Sequence, residues 1–218
     1  MKSSTAFILL LVLNAAAVPA MAQSQTQDSA PVDRLRLSAE LYAQGVQAQD
    51  PLFMLVAAKM RKAIAVQYSD REPTSPYPAS LQLPQAQFRT WQSMLDAAEN
   101  AAGEDAALLG LIEDVRAETS KGVAGGPVYS ITSISAGGTD SYASLALRGG
   151  EYAEIYIEGT GSSDLNLFVH DDQDRLVCSD TDASDIAYCG WRPAQTAGFT
   201  ITVENTGDAG NTYSLITN

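Results

Sequence analysis

The chain has 218 residues and a formal net charge of −13, with 13 Lys and Arg against 26 Asp and Glu. Such an acidic surface repels phosphate backbones and anionic lipid headgroups, which argues against nucleic acid as a partner. The length allows one large domain or two small ones. After the N-terminal segment, no stretch reaches the ~18 apolar residues that a membrane helix needs.

The first 22 residues have the pattern of a signal peptide. Lys2 supplies the positive start, residues 6–18 are apolar apart from Asn14, and residues 20–22 match the small-x-small cleavage rule. We therefore predict cleavage after Ala22 and a periplasmic or secreted mature chain. An uncleaved anchor is the alternative, although its apolar stretch is short for spanning a bilayer.

Residues 23–122 are predicted to form a helical domain of about four helices. The first two helices are expected to form an antiparallel hairpin. The first starts near Pro31, and its apolar residues recur at helical spacing: Val32, Leu35, Ala39, Tyr42 and Val46. The second starts at Asp50, a capping residue followed by proline. Because residues 52–58 are apolar all round, this second helix should be the buried one.

Two further helices complete the predicted helical domain. The third starts near Gln85 and carries Phe88 and Trp91 inward. The fourth starts near Glu104 and ends at Lys121 and Gly122, because a cation and a glycine suit a helix C-terminus. The two hairpins show no convincing repeated motif of a helical solenoid.

Residues 123–127 are predicted to be a linker, after which the apolar period changes from 3.6 to 2. Glycine-rich and Asp-rich turns separate the short segments that follow. Many short strands at this spacing indicate a β-sandwich or jelly roll over residues 128–218. The eight predicted strands are Val128–Ser133, Ser141–Leu147, Tyr152–Glu158, Leu165–His170, Leu176–Cys178, Ile186–Trp191, Gly198–Glu204 and Thr212–Thr217. The fold class is therefore α+β with two segregated parts, helical hairpins followed by an antiparallel eight-stranded sandwich.

The two cysteines, Cys178 and Cys189, lie in this second part, eleven positions apart. In an exported protein with two cysteines, the simplest expectation is that they pair. Zinc ligation is the alternative, but two thiols and the single histidine, His170, make a poor zinc site. We therefore predict a sandwich closed by one disulfide.

Three segments of the second part resemble the bacterial pre-peptidase C-terminal domain family. Residues 164–169 (Asp-Leu-Asn-Leu-Phe-Val) are similar to the family's Asp-x-Asp-Leu-x-Leu strand, shifted and with Asn166 as the second acid. Residues 193–203 are similar to its Pro-x-x-x-Gly-x-Tyr-x-Ile-x-Val hairpin, and residues 213–215 (Tyr-Ser-Leu) to its closing strand. The resemblance implies an eight-stranded, jelly-roll-like module with a binding or accessory role and no catalysis.

The residue inventory also argues against an enzyme. His170 is the single histidine, and the chain has neither a His-Glu-x-x-His zinc motif nor a Gly-x-Ser-x-Gly nucleophile elbow. No serine suggests itself for a triad with this histidine. A catalytic pair of carboxylates, like that of a glycosidase, is left as an alternative, because the chain has many carboxylates. A small acidic sandwich, however, has many such pairs by chance.

Calcium is the one cofactor that the sequence suggests, because acidic loop residues supply the oxygen ligands that Ca²⁺ prefers. We predict a weak site that uses some of the following residues: Asp164, Asn166, Asp171, Asp180 and Asp182. Residues 180–184 begin like an EF-hand loop, but the sixth and twelfth positions are Asp185 and Trp191 in place of Gly and Glu. The alternative is that these acids are solvated surface groups.

A predicted binding face carries Tyr156, Phe168 and His170, which alternation places on the outer side of their strands. Aromatic rings flanked by carboxylates can stack on sugars or anchor a peptide. The alternative is that this face packs against the helical half. We therefore expect an exported, non-catalytic binding protein whose partner is a protein or a glycan, with a glycan-directed hydrolase or lectin-like protein as the alternative.

Overall fold

The computed structural model describes residues 31–76, 88–119, 126–160 and 163–218. It has the predicted α+β arrangement, with helices in the N-terminal part and two sheets in the C-terminal part, which are antiparallel except for one short strand of the N-terminal part that pairs parallel. The signal peptide, the predicted start of the third helix at Gln85 and the predicted helix end at Lys121 and Gly122 lie outside the described residues. Within the described ranges, no helix is long and apolar enough to cross a membrane.

Capping residues explain where three of the helices begin. The side chains of Asp50, Thr90 and Asp105 accept hydrogen bonds from the first free amides of the helices that follow them, which is the expected use of Asp and Thr at such positions. The helices are α1 (Pro31–Ala48), α2 (Pro51–Lys62), α3 (Trp91–Ala102) and α4 (Ala106–Ala117). Phe88, predicted to lie on the third helix, precedes it but is buried.

The helices bury an apolar cluster of their own, to which α2 contributes Met54 and Leu55 and α3 contributes Met94 and Leu95. The prediction that α2 is the buried helix holds for one side of it only. Its residues Leu52, Phe53 and Val56 are 46%, 42% and 43% exposed, because α1 and α3 cover only one side of the helix.

All eight predicted strands are present, each within about three residues of its predicted ends. They are β2 (Val128–Ile134), β3 (Thr139–Leu147), β4 (Ala153–Gly159), β5 (Leu165–His170), β6 (Leu176–Asp180), β7 (Ile186–Trp191), β8 (Ala197–Asn205) and β9 (Asn211–Thr217). An additional short strand, β1 (Gln67–Tyr68), was not predicted and precedes them in the chain.

The strands form a five-stranded sheet in the order β1-β2-β9-β4-β7 and a four-stranded sheet in the order β3-β8-β5-β6. The inner faces of the two sheets enclose the main core, where alternate residues of each strand are buried. Ile155, Leu167 and Ile201 are fully buried there.

Two different links between the sheets close the two open sides of this sandwich. On one side, residues 67–74 run from the five-stranded sheet, where β1 pairs with β2, to the four-stranded sheet, where Thr74 forms a bridge with Ser141 of β3. On the other side, the predicted disulfide between Cys178 and Cys189 is confirmed, and it joins β6 to β7. The segment of residues 67–74 and the disulfide therefore each connect one sheet to the other.

The end of the predicted linker packs tightly against the chain that follows α2. A Cβ atom added to Gly126 would lie 1.8 Å from the backbone oxygen of Ala65, and the amide of Gln67 donates to the oxygen of Pro127 at 2.8 Å. Residues 123–125 lie outside the described ranges. The predicted domain boundary stays a prediction, and β1 shows that the N-terminal part also contributes to the sandwich.

Candidate binding surface

Tyr156 lies on the outer face of the five-stranded sheet, but this face is covered. Helix α1 packs on β4 and β7, and Tyr156 and Ile216 form a buried cluster with Val32, Leu35 and Phe88. The ring and hydroxyl of Tyr156 are fully buried, and burial raises its pKa well above the ordinary value. Tyr156 is therefore part of the junction between helices and sheet, as the alternative interpretation expected.

An ionic cluster lies within this junction. Arg61 donates to one oxygen of Glu158 at 2.8 Å and Arg89 donates to the other at 3.1 Å. The side chains of Arg61 and Glu158 are only 2% and 3% exposed. Arg61 also donates to Ser38 at 3.1 Å and to the oxygen of Leu35 at 3.3 Å, which ties α2, α1 and β4 together.

This cluster was not predicted from the sequence. Alternation places Glu158 on the outer face of its strand, and helix periodicity says nothing about a partner 97 residues away. A second carboxylate of the same face, Glu154, accepts from the Tyr188 hydroxyl at 2.8 Å, and burial raises its pKa. The junction is therefore polar as well as apolar, which explains why carboxylates line the outer face of β4.

Phe168 and His170 lie on the other sheet, so the prediction that they share a face with Tyr156 is wrong. Strand β5 belongs to the four-stranded sheet and β4 to the five-stranded sheet. All three residues point away from the core, but in opposite directions across the sandwich. Alternation distinguishes inner from outer residues without saying to which sheet a strand belongs.

The outer face of the four-stranded sheet, which we call the open face, presents a row of three partly exposed side chains, Asn166, Phe168 and His170. The neighbouring strand β8 places one polar residue beside each of them, because residues in register across antiparallel strands are side by side. The pairs are Asn166 with Glu204, Phe168 with Thr202 and His170 with Thr200. A row of one amide, one phenyl and one imidazole group thus runs along a row of hydroxyl and carboxyl groups.

A cavity of about 210 Å³ lies beside the turn between β5 and β6, and residues of both sheets line it. Its walls include Asp172, Val177 and Trp191, and the Trp191 ring packs edge-on against Phe199 with a centroid distance of 5.3 Å. Phe168, His170, Thr200 and Thr202 do not line this cavity, so it is not part of the open face.

Two of the predicted calcium ligands have side-chain oxygens without a partner. Oδ1 of Asp164 and Oδ1 of Asn166 are buried and accept no hydrogen bond. The two residues are two positions apart at the start of β5, so their side chains leave the strand on the same side. Such orphaned oxygens suit a hard cation such as Ca²⁺.

The other three predicted ligands are placed differently. Asp171 follows β5 at its far end, about 20 Å along the strand from Asp164, and Arg175 holds its carboxylate at 2.7 Å. Asp180 accepts from the amides of Asp182 and Tyr188 at 3.3 and 2.8 Å. The structure therefore does not bring the five together, and in its described residues no group of three or more His, Cys, Asp or Glu could hold a metal.

No family model matches the chain, and no curated protein matches it. Among solved structures, the chain is similar to the pre-peptidase C-terminal domain of collagenase from Bacillus anthracis, with 14% identity over 41% of this chain and 87% of that chain and a TM-score of 0.37. The periplasmic g-type lysozyme inhibitor PliG from Aeromonas hydrophila shows 14% identity over 45% and 90% of the two chains, with a TM-score of 0.33. The C-terminal CBM6 of LamC from Zobellia galactanivorans shows 8% identity over 39% and 76%, with a TM-score of 0.27. The family that the sequence motifs resemble is thus represented among these structures, whose likeness concerns the fold alone.

Proposed function

We propose that the chain is an exported, non-catalytic binding protein that holds a glycan on the open face. One observation carries this proposal. Of the two outer faces of the sandwich, the helices cover the one with Tyr156, while Phe168 and His170 stay partly exposed on the other. The disulfide between Cys178 and Cys189 supports export, because such bonds persist in oxidising compartments.

The chemistry of the open face favours a glycan that is neutral or positively charged. The Phe168 ring offers an apolar surface on which a sugar ring can stack. Thr200, Thr202, Asn166 and Glu204 supply donors and acceptors for sugar hydroxyls at the spacing of adjacent strands. The net charge of −13 repels acidic polysaccharides.

The test is binding of the purified chain to a panel of neutral polysaccharides, followed by calorimetry on the oligosaccharide of any polysaccharide bound. Phe168→Ala should weaken binding at least tenfold, because it removes the stacking surface. Tyr68→Ala is the matched control, since Tyr68 is 62% exposed but lies on β1 of the five-stranded sheet. Failure of every polysaccharide to bind, or equal losses in the two variants, would contradict the proposal; capture of a protein instead would point to a protein partner.

A cation at the start of β5 is a second candidate, favoured by the orphaned oxygens of Asp164 and Asn166. These two residues would hold the ion, which would balance the charge of the Asp164 carboxylate, give both buried oxygens a partner and stiffen the start of the strand. Excess CaCl₂, at a hundredfold over Kd, should stabilise the fold by about 2.7 kcal/mol relative to EDTA. Asp164→Asn should remove this rise in the unfolding midpoint, whereas Asp171→Asn should keep it, because the Asp171 carboxylate is bound to Arg175. An unchanged midpoint in CaCl₂ would rule the ion out.

A further inference from the structure

A cavity of about 320 Å³ lies at the junction of the helices with the five-stranded sheet, away from the open face. Its walls come from the end of α2 and the chain that follows it, from the start of α3 and from β2. Three aromatic rings line it, those of Phe88, Trp91 and Tyr129, and the rings of Phe88 and Tyr129 stack with centroids 4.4 Å apart. Its size is within the range of small-molecule sites.

The polar part of the wall is cationic. Lys62 is 9% exposed, and its ammonium group lies 4.2 Å from the centre of the Trp91 ring. It donates to the backbone oxygens of Val115 and Arg116 at 2.6 and 3.1 Å. No carboxylate of the described residues forms a salt bridge with it. These oxygens belong to the last turn of α4, whose dipole offsets part of the cost of burying the cation. A full opposite charge beside the ammonium group would offset more of this cost.

The neighbourhood of the cavity has an excess of positive charge. Arg61 is a second buried cation in the wall, and it shares the carboxylate of Glu158 with Arg89, which also interacts with the carboxylate of Asp185. Three basic side chains therefore face two carboxylates, and Lys62 forms a salt bridge with neither of them. This is the reverse of the whole chain, which has twice as many acids as bases, 26 against 13. The amino end of α3, where Thr90 and Gln92 line the cavity, adds a partial positive charge.

We propose that this cavity binds a small organic carboxylate with an apolar body. The carboxylate supplies the negative charge that Lys62 lacks, and the apolar body packs among Phe88, Trp91 and Tyr129. Such a ligand would bridge the helices and the sandwich, because the residues of the cavity come from both parts. The site is distinct from the open face and does not depend on the glycan proposal.

The binding test uses three carboxylates of increasing size, hexanoate, phenylacetate and 2-naphthoate, each compared with its neutral amide by calorimetry on the purified chain. At least one carboxylate should bind with a submillimolar Kd and at least tenfold more tightly than its amide. The fluorescence of Trp91 should change on binding. A Trp191→Phe variant removes the other tryptophan, so that the signal comes from Trp91 alone. Absence of submillimolar binding by all three carboxylates, or equal binding of acid and amide, would overturn the proposal.

Gln92→Glu tests the location of the site. Gln92 lines the cavity with an exposed side chain, so a glutamate there should weaken carboxylate binding at least tenfold by repulsion. An acid in the first turn of α3 suits the helix dipole, so folding should be preserved. Ser93→Glu is the matched control, because it adds the same charge at an exposed position that does not line the cavity. It should weaken binding less than threefold.

Lys62→Met then tests the role of the ammonium group. It should abolish the preference for the acid over the amide, with a thermal unfolding curve recorded to check the fold. If Lys62→Met fails to fold, the comparison of Gln92→Glu with Ser93→Glu still tests whether the carboxylate binds in this cavity. Equal losses in these two variants would mean a general surface-charge effect and would overturn the assignment to the cavity.

Discussion

The ion pair of Arg61 with Glu158 should be one of the largest single contributions to stability among the polar contacts. Glu158→Gln keeps the shape of the side chain but removes its charge, while Arg61 stays 2% exposed and keeps its own. Removing one partner of a buried pair commonly costs 3–5 kcal/mol. Because an amide oxygen still accepts from Arg61, we expect a loss near the lower end, about 3 kcal/mol. That is a large fraction of the 5–15 kcal/mol typical of whole domains.

The assay is urea unfolding of the oxidised chain at pH 7 and 25 °C, followed by circular dichroism. Glu118→Gln is the control, because its pair with Lys59 is open to solvent, with side chains 48% and 57% exposed, and it should cost less than about 1 kcal/mol. Replacing both buried partners, as Arg61→Met with Glu158→Leu, should recover most of the loss, since no unpaired charge remains. If Glu158→Gln costs no more than Glu118→Gln, the reasoning about burial is refuted.

Three further predictions concern stability. Cys178→Ser with Cys189→Ser should cost about 3 kcal/mol in the chain-entropy model, and an unchanged urea midpoint would contradict it. Burial raises the pKa of Asp185 to about 6 from its ordinary 3.8. The stability that its protonated carboxyl group contributes is therefore present below pH 4 and is lost as the pH rises through about 6. Asp185→Asn should raise the melting temperature at pH 7 and leave it unchanged near pH 3. Gly126→Ala should destabilise by about 1–3 kcal/mol, because the added Cβ would lie 1.8 Å from the Ala65 oxygen; equal unfolding curves would show that the backbone shifts freely.

The strands were predictable because each carries its signal locally. In β5, Leu165, Leu167 and Val169 alternate with polar or partly exposed residues, and all three are fully buried. Strand β1 was missed because Gln67 and Tyr68 have no periodicity, and its two residues are defined by pairing with β2 alone. Local patterns therefore predict an element where its own side chains meet a core, and fail where a neighbour's backbone defines it.

The candidate site was harder to predict, because it depends on which elements pack together. Tyr156 and Phe168 have the same alternation signal, yet one is fully buried and the other partly exposed. The difference arises because α1 covers β4 and β7. Helix α2 shows the opposite error, since Phe53 and Val56 are apolar but over 40% exposed. An amphipathic pattern says which residues can be buried, and tertiary packing decides which of them are.

The two closures of the sandwich bear directly on the proposed binding function. The four-stranded sheet has β3 and β6 as its edge strands, and each is tied to the rest of the molecule: β3 through Thr74 and β6 through the disulfide of Cys178. The open face lies on β5 and β8 between these tethered edges. A face held at both edges has little conformational freedom to lose when a ligand binds, so more of the contact energy appears as affinity. Reducing the disulfide should therefore weaken glycan binding even where the sandwich stays folded, because it releases the edge beside Phe168.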